Sequence, residues 1–293
     1  MKKVLVLAGL SNSGRSTPYD KYFSQHIKGY QFKQLYLDQL MVELSPKEFK
    51  VSDSQSGELI LNYDMVMIRE YGGHFLDLAY IVSRYLKSHN VPFFNHNYLT
   101  YRPISKAAQA ALFYGQGVNF PLTYFSLSGE DLARKAEDLG YPYILKDRLG
   151  MHGSDNHLVR SNNEALAILR DSEIKFIAQK YLPNTHDYRI LVMGDQEPLQ
   201  IKRTAAAGSH LNNTSQGGTG QLVSELPEQV LADARRLTQD FAIGVGGVDV
   251  LQSQTDNRYY FLEVNNQPQL ATGAEVPAKL ERFKDFLDSQ LTG

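Results

Sequence analysis

Three side chains near the C-terminus have the types and spacing to hold a hard cation. Asp249 lies in "GGVDVLQS", and Glu263 and Asn265 lie in "YYFLEVNN". Both segments read as strands. Glu263 and Asn265 are two residues apart, so in a strand their side chains leave the same face. Asp249 joins them if the two strands are neighbours. Two carboxylates and an amide oxygen form a ligand set suited to Mg²⁺, which keeps several waters and binds nucleotide phosphates. The alternative is two unrelated surface strands carrying polar residues. Leu262 and Val264 flank Glu263 and predict a strand that buries its other face, which favours the first reading.

Phosphate-handling residues stand further upstream. Lys146 ends the apolar run "PYILK" and is followed by "DRLGMHGSDNH", with Gly150, Gly153 and Ser154. A strand-end lysine before a glycine loop can clamp phosphates, the lysine as a point charge and the loop through its N–H groups. Lys106, in "SKAAQAAL", sits on a helix and can reach the same nucleotide. Taken singly, each lysine also reads as a solvated surface charge.

In "FIAQKYLPNTHDYRILV", an apolar strand reaches a bend at Gln179, Lys180, Tyr181 and Leu182. Such a bend can offer backbone N–H and C=O groups to an adenine edge, and Asp187 can accept from ribose hydroxyls. The plainer reading is a hairpin with Asp187 and Arg189 paired on one face.

Lys202 and Arg203, in "IKRTAAAGSHLNNTSQGGTG", point to opposite faces of a strand. Arg203 is favoured as the one facing a site, because its planar fork suits an acyl-phosphate or γ-phosphate. Lys202 is then a solvated charge. Asn213 and the pair Gly217–Gly218 can shape the pocket. The alternative is two exposed charges on an edge strand.

One motif is read as a decoy. "GLSNSGRST", Gly9 to Thr17, has the spacing G-x-x-x-x-G-R-S, with Arg15 where a phosphate loop needs Lys. This stretch is expected to contact substrate or to turn the chain. Arg69, ending "DMVMIRE", can bind a substrate carboxylate or be an exposed strand-end charge.

The elements that must position these residues fall into two styles. Up to residue 96, strands ("KVLVLAG", "YDMVMIREYGG", "VPFFNHN") alternate with helices ("YDKYFSQHIKGY", "FLDLAYIVSRYLKSHN"), which predicts parallel pairing. Beyond it, a helix capped by Ser105 leads into strands "FPLTYFSL", "PYILKDRLG", "HLVRS" and "KFIAQKYLP", with helices "GEDLARKAEDLG" and "NNEALAILRD". Longer strands then flank the helix "PEQVLADARRLTQDFAI". That half reads as α+β with antiparallel sheets.

Composition narrows the function classes. The 293 residues are 42% hydrophobic and 21% charged, with a formal net charge of −2. Bulk attraction to nucleic acid or to an anionic membrane is not expected. The absence of cysteine excludes disulfides, thiolate nucleophiles and Cys-ligated metals. No apolar run approaches the ~20 residues of a membrane span. The basic, apolar start has no A-x-A-like site and reads as a first strand of a cytoplasmic protein, not as a signal peptide.

Taken in order, "ILKDRLGMHGS", "AQKYLPNTHDYRILVMGD", "IKRTAAAGSHLNNTSQGG" and "GGVDVLQSQTDNRYYFLEVNNQP" resemble the ATP-grasp superfamily. The likeness is to the branch of glutamate ligases acting on protein tails, and to glutathione and D-Ala–D-Ala ligases. It covers roughly residues 97 to 272. It implies a mixed α/β and α+β chain: an N-terminal parallel-sheet domain (1–96), a central lid subdomain (97–182) and a C-terminal metal-binding subdomain (183–293).

The resemblance also implies roles. Lys106 and Lys146 contact ATP phosphates, Gln179 to Leu182 form the adenine hinge, and Asp187 touches the nucleotide. Asp249, Glu263 and Asn265 hold Mg²⁺, with Mn²⁺ as a substitute, while Arg203 and Asn213 lie near the reacting phosphate. The implied reaction joins a carboxylate substrate to an amine (amino acid, peptide or protein tail) through an acyl phosphate, releasing ADP and phosphate. A homo-oligomer is compatible, since relatives are often dimers or tetramers. Two departures stand out: Lys180 occupies a hinge position that is often acidic, and Gln269 stands where a Gly after the Pro is usual. Competing readings on the same fold are a small-molecule kinase and a non-enzymatic nucleotide-binding protein.

Overall fold

The buried run Val4–Leu7 makes Lys2–Leu7 (β1) the centre of a parallel sheet. Tyr30–Leu35 (β2) pairs on one side of it and Met65–Ile68 (β5) on the other, with Phe93–Phe94 (β6) beyond. Tyr19–His26 (α1) lies between β1 and β2 in the chain, and Leu76–Ser88 (α2) lies between β5 and β6. An antiparallel hairpin of Leu40–Leu44 (β3) and Phe49–Asp53 (β4) is inserted after β2. The computed structural model describes every residue except 12–17, 70–74, 101–104, 151–155, 171, 173–174, 205–217 and 292–293. Among the described residues no helix is long and apolar enough to cross a membrane.

The second unit is an antiparallel sheet in the order β7-β10-β8-β9. Its strands are Thr123–Phe125 (β7), Tyr143–Asp147 (β8), Asn156–Val159 (β9) and Phe176–Lys180 (β10). Two helices, Gly129–Ala136 (α4) and Asn162–Leu169 (α5), share its core through Leu132, Ala165 and Leu169. Both helices start on a serine. Ser128 Oγ accepts from Asp131 N and Ser161 Oγ from Glu164 N, each satisfying one orphan donor of a first turn.

The third unit is a five-stranded antiparallel sheet in the order β13-β12-β11-β14-β15. It comprises Asp187–Met193 (β11), Leu199–Thr204 (β12), Thr219–Val223 (β13), Val245–Gln252 (β14) and Tyr259–Asn265 (β15). Two helices cover one face, Lys106–Gly115 (α3) and Glu228–Asp240 (α6), through Phe113, Leu231, Ala234, Leu237 and Phe241. Ser105 caps α3 as expected, accepting from Ala108 N at 3.2 Å. Gln109, buried in α3, donates to Val264 O and accepts from Val264 N, which ties α3 to β15.

The opposite face of that sheet is divided along its length. In β11, Tyr188, Ile190 and Val192 enter the core under α6, while Leu191 and Met193 enter a different core. That second core contains Val4, Val6 and Met67 of the parallel sheet and Phe283, Phe286 and Leu287 of the C-terminal helix Val276–Leu291 (α7). Asp187 and Arg189 share the face of Leu191 and Met193 by the two-residue period of a strand. One strand face therefore begins polar and ends as core joining the N-terminal domain. Asn95, after β6, reinforces the joint by donating to Val245 O and Asn266 O and accepting from Val245 N.

Candidate active site

The cross-strand register of the third unit puts the charged residues in rows. Arg189 stands opposite Asp249, and Asp249 opposite Glu263, so the three span β11, β14 and β15 side by side. In the next row Asp187 stands opposite Arg203 on β12. Gly247 is opposite Asn265, which puts Asn265 on the same face.

These charges pair in a chain. Arg203 Nε and Nη2 donate to the two oxygens of Asp187 at 2.7 and 2.9 Å. Its Nη2 also lies 3.2 Å from Asp249 Oδ2, and Arg189 donates through Nε to Asp249 Oδ1 and through Nη2 to Oδ2 at 2.7 Å. Asp187 thus pairs with Arg203, and not with Arg189 as the hairpin reading has it. Both of its oxygens accept from the guanidinium. Burial raises the Asp187 carboxyl above its ordinary value despite Arg203. Asp249 is equally buried, but Arg189 and Arg203 outweigh burial and hold its carboxyl below its ordinary value.

The central sheet supplies the lysine side. Lys146, near the end of β8, donates to Gln179 Oε1 at 2.8 Å on the neighbouring β10. Burial pushes its ammonium down to about 8, against the pull of Glu263. Lys106, at the start of α3, donates to Gly150 O at 2.5 Å and approaches Glu263 Oε1 to 3.6 Å. Its backbone N–H donates to Arg148 O, so the start of α3 is fastened to the segment leaving β8. A Cβ on Gly150 would come 2.9 Å from Asp147, so only glycine fits that turn without a shift.

Most of these side chains line one cleft between the two antiparallel sheets, Arg189 not among them. Lys106, Lys146, Gln179, Lys180, Tyr181, Leu182, Asp187, Arg203, Asp249 and Glu263 contribute to its wall. Asn265 is not among the lining residues, and its Oδ1 accepts from Gln267 N. Asn213 lies outside the described residues, as do Gly153, Ser154 and Gly217. Lys202 turns away from the cleft to pair with Glu225 at 2.8 Å.

The donor set fits a hard divalent cation. Asp249 and Glu263 are directly cross-strand and Asn265 shares their face. Phosphate oxygens and water would complete the shell of Mg²⁺, which takes few protein ligands. Among the described residues there is no cluster of three or more His, Asp and Glu side chains placed for a metal; this set has two carboxylates.

The start of the glycine motif lies elsewhere. Gly9 O accepts from Leu37 N, and Ser11 N donates to Asp38 Oδ1 at 3.0 Å, fixing this turn at the end of β1. None of Gly9, Leu10 or Ser11 lines the cleft. Residues 12–17 lie outside the described structure.

Residues 104–282 match the RimK-like ATP-grasp domain. The chain belongs to the RimK-like ATP-grasp family. A probable alpha-L-glutamate ligase of Alkalilimnicola ehrlichii is 26% identical over 271 residues, covering 87% of each chain. Beta-citrylglutamate synthase B of Danio rerio is 26% identical over 245 residues, 80% of this chain and 59% of that relative. Among solved structures, the RiPP-associated ATP-grasp ligase of Chryseobacterium gregarium, in complex with ADP and a leader and core peptide, aligns with a TM-score of 0.68. Identity there is 15%, over 100% of this chain and 97% of that one, a likeness of fold. The chain is thus an ATP-grasp ligase that forms carbon–nitrogen bonds.

The ligase cleft also contains residues that sequence reasoning passed over. Ile144, Leu251 and Leu262 bring apolar side chains to its wall. Ile144 is two before Lys146 and Leu251 two after Asp249, so strand periodicity could have found both. Leu262 could not be found that way. Asp249 pairs with Glu263 but Val250 pairs with Phe261, so Leu262 is the extra residue of a β-bulge. The bulge lets consecutive residues Leu262 and Glu263 line the same cleft. Expecting Leu262 and Val264 to be buried together was therefore half right, since only Val264 enters the core.

Arg189 is the other omission. Its spacing from Asp187 was visible, but its partner Asp249 lies 60 residues away.

Proposed function

We propose that this ligase activates a substrate carboxylate with the γ-phosphate of Mg-ATP and transfers the acyl group to an amine, with L-glutamate as one of the two substrates. The glutamate assignment rests on the names of the relatives, an alpha-L-glutamate ligase and a citrylglutamate synthase. The second substrate is an amino acid or a peptide. The cross-strand pair Asp249–Glu263, in one cleft with Lys106 and Lys146, is the observation that carries the reading.

Lys106 and Lys146 neutralise phosphate charge, and their partial burial strengthens that interaction relative to water. The backbone of Gln179 to Leu182 receives the adenine edge, and Ile144, Leu251 and Leu262 cover its faces. Lys180 is exposed, so its departure from the usual acidic type leaves the backbone contacts unaffected. Arg203 lies beside the transferring phosphoryl group, and Asp187 is a positioning residue that fixes its fork. Asn213 is assigned to the same phosphate by family resemblance. Asp249, Glu263 and Asn265 would hold Mg²⁺, or Mn²⁺, which when bound adds positive charge at the phosphate oxygens.

In the first step a carboxylate oxygen attacks Pγ. The bond from Pγ to the bridging oxygen breaks with its electrons on ADP, and an acyl phosphate forms. In the second step the amine attacks the acyl carbon, the C–O bond to phosphate breaks, and the nitrogen gives its proton to water. Catalysis is mostly positioning and electrostatics.

Hydroxylamine tests this by intercepting an acyl phosphate. Mg-ATP and hydroxylamine, with L-glutamate and then amino acids and short peptides offered as the acid, are expected to yield ADP and hydroxamate with one of these acids, and Glu263→Gln to lower both by about 100-fold or more. A stable phosphate ester without hydroxamate would replace the ligation chemistry with phosphoryl transfer.

A further inference from the structure

Arg69 directly follows β5, and its backbone N–H donates to Leu7 O of β1. The sequence left open whether it is an exposed charge. It is not: Arg69 is only 5% exposed. Its Nη2 donates to Pro268 O at 2.9 Å, its Cζ lies 5.2 Å from the Tyr19 ring centroid, and its Nε is buried with no hydrogen-bond acceptor among the described residues. Among the described residues it has no carboxylate partner. The contrast within the same molecule is sharp, because half-buried Arg189 and buried Arg203 each grip an aspartate with two donors.

A second orphan donor lies in the same place. Gln34, on β2, accepts from Tyr19 N at 2.9 Å through Oε1, but its Nε2 is buried without an acceptor among the described residues. Gln34 is opposite Val6 of β1, as is Met67 of β5 two residues before Arg69. Arg69 and Gln34 therefore flank the C-terminal end of β1 on the face of Tyr19, the end at which open parallel sheets receive ligands.

A buried guanidinium with an unused donor and no counter-charge is costly. Two nearby donors lacking acceptors define what is missing: an anion with two oxygens. The position points back to the ATP cleft, since Pro268 follows Asn265 by three residues. The next stretch of that loop takes a second buried cation. Lys279 of α7 donates to Gln269 O at 3.0 Å and to Thr272 O at 2.6 Å. The junction is thus cationic and adjoins the metal-binding strand.

We propose that Arg69 and Gln34 form a subsite for a non-reacting carboxylate of one of the two substrates, so that the ligase selects molecules carrying an acidic group beyond the one it activates or beside the amine. The planar fork of arginine matches a carboxylate, and the Gln34 amide supplies a further donor. This rests on the ligase reading, which names the reaction but not the group that identifies the substrate.

The test is calorimetric titration of the Mg-ADP-loaded full chain with L-glutamate, its α-carboxamide and L-glutamine. A charge-assisted contact gives about 10-fold or more in affinity, so one carboxamide should bind that much more weakly than glutamate. Arg69→Gln should bind glutamate and that carboxamide equally. Gln34→Glu keeps the acceptor for Tyr19 N but puts a carboxylate beside Arg69. It should raise Tm while abolishing glutamate binding, a pair of opposite signs that a purely structural Gln34 would not produce.

Equal binding of all three probes by the wild type, no binding of any, or discrimination surviving in Arg69→Gln overturns the subsite. Hydroxamate formation separates the two readings. Activity without discrimination overturns the subsite alone, whereas discrimination without hydroxamate, with any acid offered, overturns the ligase chemistry alone. A KM increase in Arg69→Gln for the acid in the hydroxylamine assay assigns the carboxylate to the acid; an increase only for the amine in full ligation assigns it to the amine.

Discussion

Arg189 and Asp249 stand directly opposite each other on β11 and β14, and two guanidinium donors occupy both oxygens of the carboxylate proposed as a metal ligand. The pair has two consequences of opposite sign. Removing Arg189 leaves Asp249 buried with Arg203 3.2 Å away as its remaining cation, and breaking a buried pair from one side costs about 3–5 kcal/mol. Arg189 also competes with a cation for the same oxygens. Arg189→Met is expected to lower Tm and to tighten Mn²⁺ binding in the absence of nucleotide, read by the loss of the free-ion paramagnetic resonance signal. Weaker Mn²⁺ binding would mean that the arginine orients the carboxylate without competing for it.

Gly247 makes that pair possible. A Cβ there would lie 2.9 Å from Arg189 Cδ and 3.2 Å from Pro268 Cβ. Gly247→Ala should therefore displace the arginine stem and the loop after β15 together. The expected result is a stability loss of about 1–3 kcal/mol, as for other overpacking changes, with kcat reduced more than KM for ATP. Denaturant unfolding and steady-state kinetics on the same preparation check it. Wild-type stability and kinetics would show that the arginine has room to move.

Lys146 gives the pH dependence a definite sign. Its folded value is pushed down to about 8 from 10.5, so the buried charge costs stability at every pH below about 8. Between about 8 and 10.5 the folded chain loses this proton before the unfolded chain does, and the Lys146 contribution to stability rises with pH. Nucleotide phosphates favour the charged form. ADP binding near pH 8.5 should therefore be accompanied by proton uptake, measurable by calorimetry in buffers of different ionisation enthalpy. Lys146→Arg, which stays charged, should abolish the uptake. Uptake that persists in this variant would assign the proton to another group.

What could be read from the sequence follows the range of each signal. Period-2 alternation put Lys202 and Arg203 on opposite faces, as found, and the spacing within "LEVN" put Glu263 and Asn265 on one face, because both depend on near neighbours. Which charge pairs with which depends on register between strands up to 60 residues apart, so the plainer reading paired Asp187 with Arg189 when its partner is Arg203. The strand β2 escaped because its apolar residues, Tyr30, Phe32 and Leu35, are interrupted by Gln31, Lys33 and Gln34. The pattern of α7 was present in Leu280, Phe283 and Leu287, yet no helix was assigned there. The burial of Arg69 was invisible, because it is created by Tyr19 and Pro268, which lie 50 and 199 residues from it.

The bulge at Leu262 allows the two functions of β15 to be separated. The strand must present Glu263 to Asp249 and, through Leu262, an apolar wall to the cleft. Regular alternation cannot place two consecutive side chains on one face. Deleting Leu262 would remove the extra residue while preserving the pairings of Asp249 with Glu263 and Val250 with Phe261, so Glu263 stays in the cleft and Phe261 stays in the core. The deletion should then raise KM for ATP by about 10-fold, consistent with losing one buried leucine contact, and leave the Mn²⁺ affinity within about twofold. Leu262→Ala should move in the same direction by a smaller amount. A deletion variant that loses Mn²⁺ binding instead would show that the bulge itself aims Glu263, making local backbone geometry, and not cross-strand register alone, the determinant of the metal row.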